Sequence, residues 1–343
     1  MADKPAFSAL GGFGGQVHLR SGELWRIQKM KTKKIKIIKS YNLTWYDLET
    51  PGEKEYKFLR ERFQFHPLDI QDCVSPVQRP KIEEYNHYIF LVVRIPFYQK
   101  EERVIRALEI DIFVGQNYLV TVHQGKSTTL KDFVRECQNY RAIREKYFQF
   151  GPGFLLYEIL NRMFDRCYSL LDAVGSEIDR VENQMFKGQE REIVEIIAGI
   201  KRNVINFRKI MKAHGPLMKK LINSEKFFLN LNGARFNNKE ILFDNLFDKI
   251  QDIWDILDGH TETIAALETT NENLISHRLN EIMKTLTVVS SILLPAALIT
   301  QIFGMSYESA PLLTTGGGLF VVFLLILFTP ISLIVIFKKK KWL

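Results

Sequence analysis

The chain has 343 residues and a net charge of +8, with 46% apolar, 25% charged and 12% aromatic residues. That is length for about two ordinary domains with a sizeable core, which excludes a disordered, collagen-like or low-complexity chain. A pI near 9.2 would admit a nucleic-acid binder, but four of the positive charges are Lys338, Lys339, Lys340 and Lys341, directly after a long apolar run. A basic cluster there is a membrane-surface anchor. The three cysteines, Cys73, Cys137 and Cys167, are far apart and odd in number. They predict core residues in a reducing compartment, with neither a disulfide framework nor a metal site.

Residues 1–30 read as a flexible tail with GGFGG as linker; its glycines neither follow a strand nor open a helix, so no nucleotide loop is implied. The tail has no charged n-region or long apolar h-region of a signal peptide. KMKTKKIKIIKS (29–40) predicts a solvated edge strand, its lysines discouraging edge pairing. It has no aromatic interleaving, and no nucleic-acid partner is expected. Helical spacing follows from about 53 to 75, then strand signals at 88–98 and 108–124, the second containing a Gly115-Gln116-Asn117 hairpin turn. These form an α+β cytoplasmic domain over 31–150 that ends at the breaker Gly151-Pro152-Gly153.

Residues 151–236 predict a helical hairpin. Its first helix carries Leu156, Ile159, Leu160, Met163, Leu170, Leu171, Val174, Ile178 and Val181 at three-and-four spacing, and its second runs to about Lys212, before Gly215-Pro216. From Asn238 no proline occurs until Pro295. One helix over 237–303 would be about 100 Å long at 1.5 Å per residue. Such a stalk needs its apolar stripe buried, by the preceding helix pair or by copies of itself.

No residue is charged from Thr285 to Phe303 or from Gly316 to Phe337. A membrane-spanning helix needs about 20 mostly apolar residues, so both runs qualify. The first span is the more polar, as expected of a helix packed on others or lining water, and the second (316–337) is nearly pure hydrocarbon. Lys284 precedes the first span and the basic C-terminus (338–343) follows the second, whereas the loop 304–315 has neither Lys nor Arg. Both termini are therefore expected in the cytoplasm. Steps of three and four from Asn280 define one stripe of the first span: Asn280, Met283, Thr287, Ser290, Leu294, Ala297 and Gln301. In a bundle of identical helices this stripe would face the axis, its polar members touching a hydrated ion and Met283 and Leu294 forming apolar constrictions. Hydrogen bonding between helices is the alternative use of the same residues.

NEIMKTLTVVSSILLPAALITQIFGMSYE, followed by an apolar span and a terminal KKKKWL, resembles the CorA family of divalent-cation channels. HPLDIQDCVSPVQRPKIEEYNHYIFLVV and GQNYLVTVHQ are similar to that family's cytoplasmic domain. The resemblance implies a funnel-shaped homopentamer in the inner (plasma) membrane that passes Mg²⁺ inward. Its first span would line the pore, and Gly304, Met305 and Ser306 would form the outer mouth. Mg²⁺ sheds its water reluctantly and prefers oxygen ligands, so holding its hydration shell avoids that cost.

The family's mouth carries Asn where this chain has Ser306. A hydroxyl is shorter than an amide, which makes Zn²⁺ or broader divalent passage (Co²⁺, Ni²⁺) the second reading and a non-conducting cation sensor or scaffold the third. The family closes on intracellular Mg²⁺ bound at acidic sites between subunits. Asp244, Asp248, Asp252 and Asp255 could supply carboxylates for such regulation, although a regulatory aspartate of the family's stalk falls at Asn245. The cation is thus substrate and candidate regulator. No catalytic residue, cofactor or enzyme chemistry is indicated, and the seven histidines show no metal-ligand spacing.

Overall fold

The computed structural model describes residues 34–75, 79–185, 190–226, 239–304 and 317–340. Strands β1 (Ile35–Ser40), β2 (Leu43–Glu49), β3 (Lys81–Glu84), β4 (Tyr88–Gln99), β5 (Val104–Gly115) and β6 (Tyr118–His123) form one sheet in the order β1-β2-β6-β5-β4-β3. β2 and β6 run parallel, with Thr44 opposite Tyr118 and Glu49 opposite His123; the other neighbours are antiparallel. The lysine-rich segment is an edge strand, as its composition predicts. β4 and β5 occupy the interior of the sheet and are buried on both faces along much of their length, which is why they read as continuous apolar runs. The β5–β6 turn falls at Gly115-Gln116-Asn117. A Cβ on Gly115 would lie 2.2 Å from the Tyr118 ring, so a side chain here would have to displace that ring.

Helices α1 (Glu53–Phe63) and α2 (Pro67–Val74) cover one face of the sheet, over a core of Tyr46, Leu48, Phe90, Val92, Phe113, Val120 and Val122. The imidazole of His66 caps α2, its Nδ1 accepting the Leu68 N–H at 3.3 Å, and Pro67 opens the helix where a missing N–H costs nothing. The opposite face takes α3 (Thr128–Asn139), whose Phe133 ring packs 5.3 Å from Trp45. Beneath α3, Asp47 is buried and accepts the Thr121 hydroxyl at 2.7 Å, with His123 Nε2 at 3.1 Å. α3 and α4 (Arg141–Phe148) fill the stretch before residue 150 that the sequence reading left unassigned.

Four further helices complete the chain to the membrane-like segment: α5 (Pro152–Met185), α6 (Glu190–Met211), α7 (His214–Ile222) and α8 (Lys239–Gly304). Gly215-Pro216 begins α7, where proline in the first turn removes no hydrogen bond. α8 is one helix of 66 residues. A last helix, α9 (Gly318–Lys339), follows.

The chain divides into two compact units, residues up to 170 with 206–255, and residues 171–205 with 256–343. In the first, Leu156, Leu160, Met163 and Phe164 of α5 are buried, as are Phe243, Leu246, Ile250 and Ile253 of α8. The α5–α8 contact is also polar: Lys249 Nζ donates to Asn161 Oδ1 at 2.7 Å and pairs with Asp165. In the second unit, Val174, Ile178 and Val181 of α5, Ile193, Ile197 and Ile200 of α6, and Ile264 and Leu267 of α8 are buried. His260 reaches over Gly175 there and donates Nε2–H to the Leu171 carbonyl at 3.3 Å. Cys73, Cys137 and Cys167 are free and buried, in keeping with their reading as core residues.

Candidate functional site

The seven residues of the proposed ion stripe all lie on α8, which continues unbroken from the second unit's core through Gly304. Within 285–301 the covered positions are Val288, which is buried, and Ser291, Ile292, Pro295 and Ile299, which are half-buried. At about 100° per residue these five share one face. Asn280, Met283, Thr287, Ser290, Leu294, Ala297 and Gln301 are all exposed. Their mean direction lies roughly 125° around the helix from the covered face. α9 shows a matching half-covered row of Ile326, Thr329, Pro330, Leu333 and Phe337.

Leu333 of α9 also lines an open concavity of about 570 Å³ with Leu286, Thr287, Ser290, Ser291, Leu294 and Pro295 of α8. Pro295 has no N–H to offer the carbonyl four residues back. α8 thus presents small oxygen-bearing side chains beside a weakened turn, in a segment of Leu, Ile and Val.

The Thr287 hydroxyl donates to the Met283 carbonyl at 2.7 Å, and Thr285 likewise to Glu281 at 2.9 Å. This bond occupies the hydroxyl's only proton and leaves its oxygen lone pairs as acceptors. Water bound to a cation points its hydrogens outward, so an acceptor suits it. Among the described residues α8 is the helix long and apolar enough to cross a membrane. α9 has no charged residue before Lys338, and Lys338, Lys339 and Lys340 are exposed at its end. Large apolar side chains on both helices face outward, among them Leu293 at 61% and Phe328 at 69% exposure. Gly304 is the last residue of α8. Met305, Ser306 and Lys341 lie outside the described residues.

Asp244, Asp248, Asp252 and Asp255 are exposed on the first unit's portion of α8, on the face nearly opposite the buried Phe243, Leu246, Ile250 and Ile253. Among the described residues no three carboxylate, thiol or imidazole groups converge to hold a metal. What the sequence reading did not anticipate is the set of α5 partners. The Tyr157 hydroxyl donates to Asn245 Oδ1 at 3.4 Å, and the Tyr168 hydroxyl lies 3.3 Å from the Lys249 carbonyl and 3.5 Å from Asp252 Oδ2. The signal was present as Tyr157, Asn161, Asp165 and Tyr168, a polar row at helical spacing on α5. Burial and the Asp252 and Asp165 carboxylates push the Tyr168 phenol up to about 12, so it remains a donor. Three histidines serve structure: His66 caps α2, His123 bonds Asp47, and His214 is buried edge-on to Phe164 at 5.6 Å.

Comparison with known proteins follows this geometry. The family described as CorA-like Mg2+ transporter protein matches residues 40–340. The cobalt/magnesium transport protein CorA of Thermotoga maritima is 28% identical over 285 residues, covering 82% of this chain and 78% of that protein. The protein of the same name from Methanocaldococcus jannaschii is 25% identical, covering 88% and 92%. The complete structure of the Methanocaldococcus jannaschii CorA magnesium transporter superposes with a TM-score of 0.75 at 22% identity, over 89% of this chain and 93% of that one. That likeness shows the shared fold.

Proposed function

The chain belongs to the CorA-like Mg2+ transporter family, and from that premise we propose that it is a divalent-cation channel that admits Mg²⁺ down its electrochemical gradient. In this reading α8 from about residue 285 and all of α9 cross the membrane, both chain ends lie in the cytoplasm, and copies of the chain assemble as a homopentamer around the exposed stripe of α8. The observation that carries the reading is that stripe: seven exposed residues, several of them polar, turned away from the helix's covered face in an otherwise apolar run.

Two charges moving inward through 100 mV gain about 4.6 kcal/mol, so transport needs no chemical step. A dehydrated Mg²⁺ would need a rigid octahedral cage, whereas a hydrated one needs acceptors spaced along a wide path. Thr287, Ser290 and Gln301 supply such acceptors, and Met283 and Leu294 supply apolar rings that close by excluding water. At the mouth, Gly304, Met305 and Ser306 present backbone carbonyls and one hydroxyl. The lysines at the end of α9 hold it at the anionic inner surface. Asp244, Asp248, Asp252 and Asp255 form an outward acidic face available to regulatory cation.

The single residue Ser306 favours a second reading, in which Zn²⁺ or a broader set including Co²⁺ and Ni²⁺ is carried. Purified protein in liposomes, with Mg²⁺ and Zn²⁺ uptake followed under an inside-negative potential with and without a pH gradient, tests both. Voltage-driven Mg²⁺ uptake is expected. Zn²⁺ uptake that depends on the proton gradient would select the second reading, and uptake of neither ion would make the protein a sensor or scaffold.

A further inference from the structure

Helix α2 rests on the sheet above two carboxyl groups, Asp69 of α2 itself and Asp111 of β5, and neither forms an ion pair among the described residues. Asp69 is fully buried. Its Oδ2 accepts the Tyr88 hydroxyl at 2.7 Å, and the Tyr88 oxygen in turn accepts the His66 N–H at 2.9 Å. The Tyr85 hydroxyl oxygen lies 3.0 Å from Asp69 Oδ1 and 2.9 Å from Glu83 Oε2.

A phenol has one proton to give. If both carboxylates were ionised, one of these two contacts would set bare oxygens against each other. Both are hydrogen bonds only when one carboxyl keeps a proton. Glu83 is 38% exposed and holds the Lys81 ammonium at 2.6 Å, so it remains charged. The proton belongs to Asp69, and the donors then run in one direction, from His66 N–H through Tyr88, Asp69 and Tyr85 to Glu83.

Asp111 is an independent case at the same joint. It is 4% exposed, its Oδ1 has no hydrogen-bond partner, and its neighbour from α2 is the Cys73 thiol. Burial, with Glu109 as the strongest like charge, pushes Asp111 up to about 8, and burial also raises Asp69.

We propose that the joint of α2 with β3 and β5 is a proton-operated latch, shut while Asp69 and Asp111 are protonated and loosened when they ionise. The groups facing Asp69 are Glu83 of β3, Tyr85 with Tyr88 of the β4 side, and Cys73 of its own helix, with the His66 N–H behind Tyr88 and the Lys81–Asp72 pair behind Glu83. Those facing Asp111 are Tyr56 of α1, Cys73 and Asp72 of α2, Lys81 of β3 and Glu109 of its own strand. Lys81 Nζ bridges Asp72 and Glu83, at 2.6 Å from each. A new negative charge at Asp69, beside Glu83, draws that ammonium inward and frees Asp72 at the end of α2. The folded chain holds protons that the unfolded chain releases above about pH 4, so the latch weakens as pH rises.

Hydrogen exchange of the α2 amides in the full-length protein, between pH 6 and 9, tests this. Wild type should show about tenfold or more acceleration beyond the intrinsic base-catalysed rise. Asp69→Asn, whose amide can donate to Tyr85 and accept from Tyr88, should show less, and Asp69→Asn with Asp111→Asn, which leaves neither of the two latch carboxyls to titrate, should show none. Glu83→Gln removes the neighbouring negative charge and should move the transition to lower pH, a shift that a purely structural role for Glu83 would not give. Equal acceleration in wild type and the double variant, or none in wild type, would overturn the latch. Should the double variant not fold, the infrared carbonyl band of a protonated carboxyl in wild type above pH 6 decides: present supports the latch, absent refutes it.

Discussion

Thr287 shows how a side chain at an apolar site can be polar to one partner only. Its proton is committed to the Met283 carbonyl, and its oxygen faces outward as an acceptor. Thr287→Ser keeps that arrangement, and Thr287→Val removes it. In liposome uptake Thr287→Ser should stay near the wild-type Mg²⁺ rate and Thr287→Val should fall by about tenfold, the cost of one hydrogen bond of roughly 1.4 kcal/mol. Ser306→Asn should raise Mg²⁺ uptake by restoring a longer side chain at the mouth, and an unchanged rate would mean that the mouth does not limit flux.

In the first unit, His214 is fully buried beside Phe164, and burial pushes it down to about 4. Between pH 4 and 6.5 the folded chain therefore binds fewer protons than the unfolded one. Stability rises with pH through that window and its gain is complete above it. The contribution is about 3 kcal/mol. Thermal unfolding of wild type and His214→Gln at pH 4 and pH 7 should differ in pH dependence by about that amount, with the variant the flatter.

At the scale of elements, what was readable followed from local rules. The Gly115 turn, the lysine-bearing edge strand β1 and the long helix α8 each rest on composition or periodicity within a short window. β2 was missed because its buried Asp47 breaks the apolar pattern, and the hydrogen bonds to that aspartate come from Thr121 and His123 on a strand more than seventy residues away. Gly215-Pro216 looked like a helix end, although the same pair suits a first turn. That Asn280, Thr287, Ser290 and Gln301 share one exposed face of α8 was legible because it needs only helical spacing, whereas the Tyr157, Asn161 and Tyr168 contacts required knowing which face of α5 meets α8.

The packing of those helices makes its own prediction. A Cβ on Gly175 would sit 3.3 Å from His260 Cε1, so Gly175→Val should crowd the α5–α8 contact. The expected loss is about 1–3 kcal/mol, read as a lower thermal midpoint. His260→Ala in the same chain should recover part of it by opening the space.

For the whole molecule, the outward rows of apolar side chains on α8 and α9 require cover that one chain does not provide. Lipid suits the hydrocarbon-only face of α9, and copies of the chain suit the mixed stripe of α8. The proposed pentamer should appear as five chains per particle by native mass spectrometry in detergent, and a monomer would leave the stripe without an axis to face.

The central claim is that the ion travels along this one stripe of α8, and accessibility of single introduced thiols measures it most directly. The native cysteines are buried, so a water-soluble thiol reagent reports the new ones. Thr287→Cys, Ser290→Cys, Leu294→Cys and Gln301→Cys should each lose Mg²⁺ flux on modification, while Val289→Cys, about 125° around the helix from the stripe, should not. Block at Val289→Cys with none along the stripe would contradict the account.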